Sequence, residues 1–374
     1  MTGAEATSGG GDPGCGDPGG AALVRRSATR LADGRELIYF DDREPYLSGA
    51  ADRTEPDTRA LDPLDVHSEI RLDVLTGDRV VIAAHRMNRT YHPPADRNPL
   101  APSRPGEPAT EIPAPDYDVV VFENRFPTFA GGNGRCEVVC FTSDPTASFA
   151  TLTERRARTV VEAWADRTRE LSALPATRQV VCFENRGEEI GVTLSHPHGQ
   201  IYAYPYLPPR TEALVRQARA HREATGRSLL ADVLADEQRA GVRMVLRGRR
   251  WSAYVPVAAK WPLEVHLAPH RDVADLADLD ADERAELAGA YLELLRRVDR
   301  FFPGTERTPY IAAWHQAPVG ADRAAGRLHL QLFSLMRAPG RLKFLAGSES
   351  GMGAWINDTT PERIAARLRE VASA

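Results

Sequence analysis

The sequence has little cysteine, no strong net charge and no long apolar run. Its 374 residues include four cysteines, and none of them forms a Cys-x-x-Cys pair. We therefore expect small core thiols in a reducing compartment, not a disulfide framework. A net charge of −5, from 47 basic and 52 acidic residues, does not favour a nucleic acid partner. Since no membrane-length apolar run and no signal-peptide pattern occur, we expect a cytoplasmic protein without a membrane partner.

Composition and periodicity divide the chain into a polar tail and two larger parts. The start of the chain is rich in Gly, Asp, Pro and Ser, so we expect a disordered tail over residues 1–28. A proline-rich segment, residues 205–209, then marks a boundary between residues 29–208 and residues 209–374. In each part, strand-like runs surround one capped amphipathic helix. We predict an α+β fold in which each part is a mainly antiparallel sheet with packed helices.

The two parts repeat one order of elements. The first helix opens with a predicted capping box that begins at Thr151, and the second opens in the same way at Asp280, 129 positions later. His196 and His329 show a similar offset of 133 positions. This near-constant offset indicates an internal duplication, although strand, helix and strand also recur in unrelated folds.

One segment, His-Pro-His-Gly-Gln at residues 196–200, carries the side chains best suited to chemistry. In an extended chain alternate side chains share a face, so His196, His198 and Gln200 are expected to point the same way. A neutral imidazole is available near pH 7 and attacks phosphorus through one nitrogen while the other donates a hydrogen bond. A carboxamide donates to phosphate oxygens. We predict that His198 is a nucleophile, with Gln200 and His196 as further catalytic residues.

The residue types of this motif are also compatible with two roles that involve no nucleophile. A His-x-His pair is often two ordinary strand histidines, or two ligands of a metal ion. If His196 and His198 held a catalytic metal, chelation would abolish activity. The longer string His-Pro-His-Gly-Gln is less frequent by chance than His-x-His, and it favours the nucleophile.

The motif and its surroundings resemble the galactose-1-phosphate uridylyltransferase family of the histidine-triad superfamily. Phe-Glu-Asn-Arg-Gly precedes the motif at residues 183–187, where we predict a polar turn at the end of a strand, and Ile-Tyr-Ala follows the motif. Shorter matches occur in the family's order at residues 85–89, 121–127, 260–262, 314–315 and 343–347. The resemblance implies two related halves and a ping-pong reaction. UDP-glucose would transfer UMP to His198 and release glucose 1-phosphate, and galactose 1-phosphate would then accept the UMP.

The resemblance also implies binding residues for a nucleotide sugar and a sugar phosphate. The positions that match uridine or phosphate contacts are Arg86, Arg89, Asn124, Phe183, Asn185 and Thr193. The positions that match sugar-phosphate contacts are Lys343, Phe344, Gly347 and Glu349. In the family some of the latter come from the partner chain, which implies a homodimer. Without the resemblance, the arginines would be read as a solvated face, and the Lys343–Glu349 pair as a surface ion pair of little energetic value.

The metal sites of the family are incomplete in this sequence. Family members often hold structural zinc with a Cys-x-x-Cys pair and two histidines, but Asn98 and Ala101 stand at the cysteine positions. Only His196 is left, and one imidazole cannot complete a four-ligand zinc site. A second family metal site matches His315 and His329 without its other ligands. We predict that the chemistry needs no metal and keep these three histidines as weak candidate ligands.

Two alternative functions remain open from the sequence. One is a related nucleotidyltransferase or phosphorylase that acts on ADP-sugars or dinucleotides with the same histidine chemistry. The other is a nucleotide-binding protein without turnover. Arg125, which stands where the family usually has aspartate, adds a positive charge near the expected uridine site and bears on the identity of the substrate.

Overall fold

The computed structural model describes residues 23–63, 66–88, 93–94, 97–130, 132 and 134–373. Its strands are β1 (Arg25–Arg30), β2 (Glu36–Asp41), β3 (Glu69–Leu72), β4 (Arg79–Ile82), β5 (Val119–Glu123), β6 (Arg135–Cys140), β7 (Gln179–Arg186), β8 (His198–Tyr204), β9 (Met244–Arg247), β10 (Trp251–Tyr254), β11 (Leu263–Pro269), β12 (Tyr310–His315), β13 (His329–Ser334), β14 (Met336–Ala338) and β15 (Arg341–Leu342). Its helices are α1 (Glu154–Ser172), α2 (Pro209–Thr225), α3 (Leu229–Ala240), α4 (Ala281–Phe301), α5 (Gly347–Met352) and α6 (Pro361–Glu370).

Eleven of the described strands form one antiparallel sheet in the order β1-β2-β5-β6-β8-β7-β12-β13-β11-β10-β9. The two parts of the chain meet where β7 pairs with β12, with Arg186 opposite Tyr310 and Cys182 opposite Trp314. The halves therefore share a sheet. The predicted boundary between residues 208 and 209 coincides with the start of α2, and the division into two domains stays a prediction.

The same order of elements occurs twice around this junction. The set β5, β6, α1, β7 and β8 is matched by β10, β11, α4, β12 and β13. Within the sheet the second set runs outward from β12 in the same sequence as the first set runs outward from β7. This mirrored arrangement confirms the predicted α+β fold with two related, mainly antiparallel halves.

The main hydrophobic core lies between the sheet and the two matching helices. The capping box predicted at Asp280 is present, because its side chain accepts from the backbone N–H of Glu283 at the start of α4. Aromatic rings join α1, α4 and β12: the centroid of Trp164 lies 6.0 Å from that of Trp314 and 6.1 Å from that of Tyr291. No helix in the described ranges is both long enough and apolar enough to cross a membrane.

Strand β8 has one side in this core and the other side open. Ile201 and Ala203 are fully buried in the core. Because successive side chains of a strand face opposite sides of its sheet, His198, Gln200 and Tyr202 face away from the core. The fold thus presents part of the predicted motif on the side that α1 and α4 do not cover.

Three local predictions were wrong. Residues 25–28 lie in β1 and not in a tail, because β1 is held by pairing with β2 and carries no apolar pattern that the sequence could reveal. The cap of α1 is Thr153, whose side chain accepts from the backbone N–H of Arg156; Thr151 instead closes a short 3-10 turn. Residues 183–186 are not a turn but the end of β7, because β12 of the other half pairs with them.

Candidate active site

A cavity of about 300 Å³ lies beside the open face of β8. It brings together seven of the side chains predicted from the sequence: Arg86, Asn124, Phe183, Asn185, Thr193, His198 and Gln200. These residues come from β7, from β8 and from the segments that follow β4 and β5 or precede β8, so only the folded sheet assembles the set. Arg89 lies outside the described residues.

The imidazole of His198 is oriented by the backbone two residues earlier. Its Nδ1 lies 2.7 Å from the carbonyl oxygen of His196, which can only accept, so Nδ1 carries the hydrogen. The lone pair is then on Nε2, the nitrogen farther from the backbone. Burial lowers the pKa of the His198 imidazole below its usual range, which keeps the ring neutral near pH 7. A neutral, oriented imidazole of this kind is a competent nucleophile.

Position 199 has no room for a side chain, because β8 packs closely against β7 and a buried phenylalanine ring. A Cβ atom at this position would lie 2.8 Å from the carbonyl oxygen of Phe183 and 2.9 Å from Cζ of Phe141. Both distances are well inside van der Waals contact, so a side chain there would push β8 away from its neighbours. The glycine therefore allows the tight approach of strands that places His198 and Gln200.

The side chain of Gln200 is held by Tyr202 on the same face of β8. The Tyr202 hydroxyl donates to Oε1 of Gln200 at 3.1 Å. Among the described residues, none is hydrogen bonded to the Nε2 amide of Gln200, which therefore has its two N–H groups available. Next to this pair, Nη1 of Arg86 donates to the hydroxyl of Thr128 at 2.6 Å and to the carbonyl of Phe126 at 3.0 Å.

His196 does not point the same way as His198 and Gln200, and that prediction was wrong. Strand β8 begins only at His198, so the alternation of a strand does not extend back to His196. The ring of His196 is 1% exposed and lies in the interior, where Asn98, Tyr117 and the carbonyl of Thr142 surround its two nitrogens. Burial lowers the pKa of this imidazole to about 4, so it is neutral at physiological pH.

One side of the cavity carries a guanidinium that has no partner among the described residues. Arg125 lines the cavity and makes no hydrogen bond or ion pair with any residue that the structure describes. The nearby acid Glu111 is already paired with Arg35 and Arg59, at 2.6 and 2.9 Å. An unpaired guanidinium close to a nucleophile attracts anions such as phosphates.

The residues predicted to hold the sugar phosphate lie away from this cavity. Lys343 forms a buried ion pair with Glu349, 2.8 Å from Nζ to Oε1, and donates to the carbonyl of Lys260 at 2.9 Å. Gly347 begins α5, and Phe344 is 84% exposed. None of these four lines the His198 cavity. A single chain therefore does not bring the two predicted sets of residues together.

The candidate metal ligands of the second half lie close to the guanidinium of Arg210. His315 and His329 stack with ring centroids 4.9 Å apart, and Arg210 donates to the side-chain oxygen Oε1 of Gln331 beside them. Burial, together with the charge of Arg210, lowers the pKa of His315 to about 3. In the described part of the chain no three His, Cys, Asp or Glu side chains are grouped so as to hold a metal ion. These residues do not fit a metal, and its absence from the protein stays a prediction.

Two residues of the site escaped sequence reasoning as functional contributors. Tyr202, which orients Gln200, lies in the Ile-Tyr-Ala string that follows the motif. It is two residues after Gln200, so strand alternation could have placed it on the same face. Tyr117, whose hydroxyl lies 2.8 Å from Nε2 of His196, is 79 positions away, and no sequence spacing connects the two.

Comparison with known proteins gives matches along both halves. Residues 129–208 match the family described as galactose-1-phosphate uridyl transferase, N-terminal domain, and residues 214–374 match its C-terminal domain. A galactose-1-phosphate uridylyltransferase of Streptomyces lividans is 52% identical over 363 residues, which cover 93% of this chain and 98% of that protein. One of Thermotoga maritima is 32% identical over 321 residues, covering 81% and 98%.

Solved structures give the same result at the level of the fold. A uridylyltransferase structure superposes with a TM-score of 0.72 at 30% identity and covers 81% of this chain and 98% of its own. An ADP-glucose phosphorylase from Arabidopsis thaliana superposes with a TM-score of 0.64 at 20% identity, covering 81% and 98%. The second likeness concerns the fold alone.

Proposed function

Because this chain belongs to the galactose-1-phosphate uridylyltransferase family, we propose that it transfers UMP from UDP-glucose to galactose 1-phosphate through a covalent intermediate on His198. The observation that carries the mechanism is the 2.7 Å hydrogen bond from Nδ1 of His198 to the His196 carbonyl. This bond leaves the Nε2 lone pair free and aims it away from the core. The family supports the substrates, a nucleotide sugar and a sugar phosphate.

The reaction consists of two balanced displacements. Nε2 of His198 forms a bond to the α-phosphorus of UDP-glucose, and the bond from that phosphorus to the bridging oxygen breaks. The electron pair leaves with glucose 1-phosphate, which needs no proton because it is a stable anion. A phosphate oxygen of galactose 1-phosphate then attacks the same phosphorus, and the N–P bond breaks to restore the imidazole. While UMP is attached the ring is cationic, and the His196 carbonyl stabilises it by accepting from Nδ1.

The other cavity residues bind and orient the nucleotide. The free amide of Gln200 donates to a non-bridging oxygen of the α-phosphate, and its position is held by Tyr202. Thr193 offers a hydroxyl to the same phosphate. Arg86 and Arg125 supply the positive charge that two phosphates require, while Asn124, Phe183 and Asn185 form the nucleoside side of the cavity. His196 contacts His198 through its backbone carbonyl, and its ring does not line the cavity.

The sugar-phosphate residues reach the site from a second copy of the chain. Lys343, Phe344, Gly347 and Glu349 lie outside the cavity of their own chain. Large apolar side chains are exposed beside them, with Phe344 at 84% and Met352 at 82%. A second exposed apolar group lies on the β3–β4 hairpin and the turn after it, including Leu75 at 91% and Met87 at 87%. Two such patches on one chain support a homodimer.

The location of the protein is proposed from its thiols. Cys136, Cys140 and Cys182 are free and buried, which is typical of proteins from a reducing compartment. We therefore retain the cytoplasmic assignment, which cell fractionation with detection of the native protein tests. Recovery of the protein with a membrane or secreted fraction would contradict it.

Intact-protein mass spectrometry tests the covalent intermediate. The full chain is mixed with UDP-glucose alone, and we expect a gain equal to one UMP group, which galactose 1-phosphate then removes. ADP-glucose is the matched donor control, and it should leave no adduct. An adduct from ADP-glucose only would replace this proposal with an ADP-sugar enzyme. The His198→Gly variant should form no adduct from either donor, and an unchanged adduct in that variant would refute the assigned nucleophile.

Complementation between two inactive variants tests the shared site. Chains with His198→Gly and chains with Lys343→Ala should each be inactive, since each lacks one component of every site. When the two are co-expressed, mixed dimers contain one site with an intact His198 and an intact Lys343, so activity should return. No recovery in a sample shown by sedimentation to contain mixed dimers would contradict the contribution of the second copy.

A further inference from the structure

The orientation of the Asn98 side chain is determined within its own loop. The backbone N–H of Leu100 donates to Oδ1 of Asn98 at 3.0 Å, which identifies that atom as the oxygen. The other atom of the amide, Nδ2, must then be the one that lies 2.9 Å from Nδ1 of His196. An amide nitrogen only donates, so Nδ1 of His196 accepts and carries no hydrogen.

This contact determines the tautomer of the buried His196 ring. Since Nδ1 is an acceptor, the neutral ring carries its hydrogen on Nε2. Nε2 lies 2.8 Å from the carbonyl of Thr142 and 2.8 Å from the hydroxyl oxygen of Tyr117. The Tyr117 hydroxyl gives its own hydrogen to the carbonyl of Leu100 at 2.8 Å, so its oxygen is available to accept. The single Nε2 hydrogen is therefore shared between two acceptors, and a hydrogen on Nδ1 would leave the Asn98 amide facing another donor.

The same residue holds the nucleophile through its backbone. The carbonyl of His196 accepts from Nδ1 of His198, and only Pro197, with its restricted φ, separates the two residues. The carbonyl of Pro197 in turn accepts from the backbone N–H of Phe141 at 3.1 Å. The ring and the carbonyl that orients His198 belong to the same residue, so we expect a displacement of the His196 ring to shift that carbonyl.

The arrangement also excludes zinc at this position. A metal would need the lone pair of Nδ1 of His196, and the Asn98 amide already occupies it. The opposite nitrogen, Nε2, is used in hydrogen bonds to Thr142 and Tyr117. The residues present therefore do not fit the structural zinc that members of this family often hold. The hydrogen bond from Asn98 to His196 instead connects the proline-rich loop to the catalytic segment.

We propose that Asn98 is a positioning residue for the nucleophile: its amide fixes the tautomer of His196 and so places the His196 carbonyl that orients His198. The inference rests on the proposed role of His198. Asn98 itself does not touch substrate in this mechanism, because it acts through His196. Its replacement should slow the chemical step and leave the affinity for the donor nearly unchanged.

The decisive variant is Asn98→Asp, which keeps the size of the side chain and the bond from Leu100 but cannot donate to His196. A carboxylate instead demands a hydrogen on Nδ1, which forces the His196 ring out of its observed tautomer. Ser103→Ala is the matched control, because Ser103 accepts from the Thr110 N–H at 3.1 Å in the same loop without contacting His196. Asn98→Ala serves as a second variant that removes the donor without adding charge.

Three measurements on the full chain test the inference. In the wild type, nitrogen-15 spectra of ring-labelled histidine should show His196 with a hydrogen on Nε2 only, and Asn98→Asp should change that pattern. The rate of adduct formation from UDP-glucose should fall on the order of tenfold or more in both Asn98 variants, with the apparent affinity for UDP-glucose changed less than about threefold. The purified wild type should contain far less than one zinc per chain.

The outcomes separate this inference from the proposed function. If the wild type forms no adduct at all, the role of His198 is refuted. If the wild type forms the adduct and folded Asn98→Asp forms it at the rate of Ser103→Ala, only the role of Asn98 is refuted. A hydrogen on Nδ1 of His196 in the wild type, or one zinc per chain that is lost in Asn98→Ala, would also overturn the inference.

Discussion

Replacement of Gly199 by alanine is expected to damage both the stability of the protein and the placement of its nucleophile. The added Cβ would lie 2.8 Å from the Phe183 carbonyl oxygen and 2.9 Å from Cζ of Phe141, whereas ordinary carbon contacts are about 3.5–4.0 Å. Strand β8 must therefore move by roughly 0.7 Å. Neither neighbour yields easily, since one is the backbone of a paired strand and the other packs edge-on against Phe149, with ring centroids 5.0 Å apart.

This displacement has a predictable size in two assays. Overpacking of this kind lowers the free energy of unfolding by about 1–3 kcal/mol, which urea unfolding of the variant measures. Because a misplacement near 1 Å costs up to about 100-fold in rate, the formation of uridylylated His198 from UDP-glucose should slow by roughly 10- to 100-fold. Rapid quenching followed by intact-mass measurement follows this step.

Gly289 provides the control for Gly199. It lies within α4, and a Cβ there would meet only the flexible carboxylate of Glu154, at 3.4 Å. Gly289→Ala should raise the free energy of unfolding by about 0.5–1 kcal/mol through helix propensity and leave the rate of uridylylation unchanged. If Gly199→Ala unfolds like the wild type and reacts at the wild-type rate, the packing argument for β8 is refuted.

Three further predictions concern a buried ion pair, pH and the unpaired cation. Glu137→Ala removes both 2.9 Å hydrogen bonds of the buried Arg167 guanidinium and leaves it only longer ion pairs of 3.6 Å with Asp166 and Glu170. We expect the free energy of unfolding in urea to fall by about 3–5 kcal/mol, and a loss under about 1 kcal/mol would contradict this. Because burial lowers the pKa of His198 below its usual 6.5 and only the neutral ring attacks, single-turnover rates of uridylylation should show their inflection below pH 6.5. An inflection above pH 6.5 would refute the assignment. Arg125→Ala should raise the KM for UDP-glucose about tenfold with unchanged stability, and an unchanged KM in steady-state assays would show that Arg125 does not contact the donor.

The motif at residues 196–200 shows where strand alternation predicts the direction of side chains and where it does not. Alternation along a strand correctly predicted that His198 and Gln200 share one face, because both lie within β8. It failed for His196, because pairing with β6 and β7 begins only at residues 198 and 200, and the two residues before the strand follow no alternation. A period-2 argument is valid only where pairing with neighbouring strands imposes the period.

Long-range pairing accounts for the other errors. Residues 25–28 have no apolar pattern, yet β1 forms because β2 offers backbone partners along its full length. Residues 183–186 are polar, yet β12 of the second half continues β7 through Arg186. Backbone hydrogen bonds between distant segments do not depend on side-chain type, and sequence periodicity therefore does not reveal them.

The sequence by itself determined the two-part plan, the amphipathic helices, the identity of the nucleophile candidate and the family. These features depend on residue types at short spacings, where capping, periodicity and imidazole chemistry act locally. Only the tertiary structure decided which nitrogen of His198 is free and that the His196 ring is buried. It also decided that Lys343 and its neighbours lie away from the cavity. Those properties depend on distances between atoms from separate strands and loops, and such distances exist only once the sheet has formed.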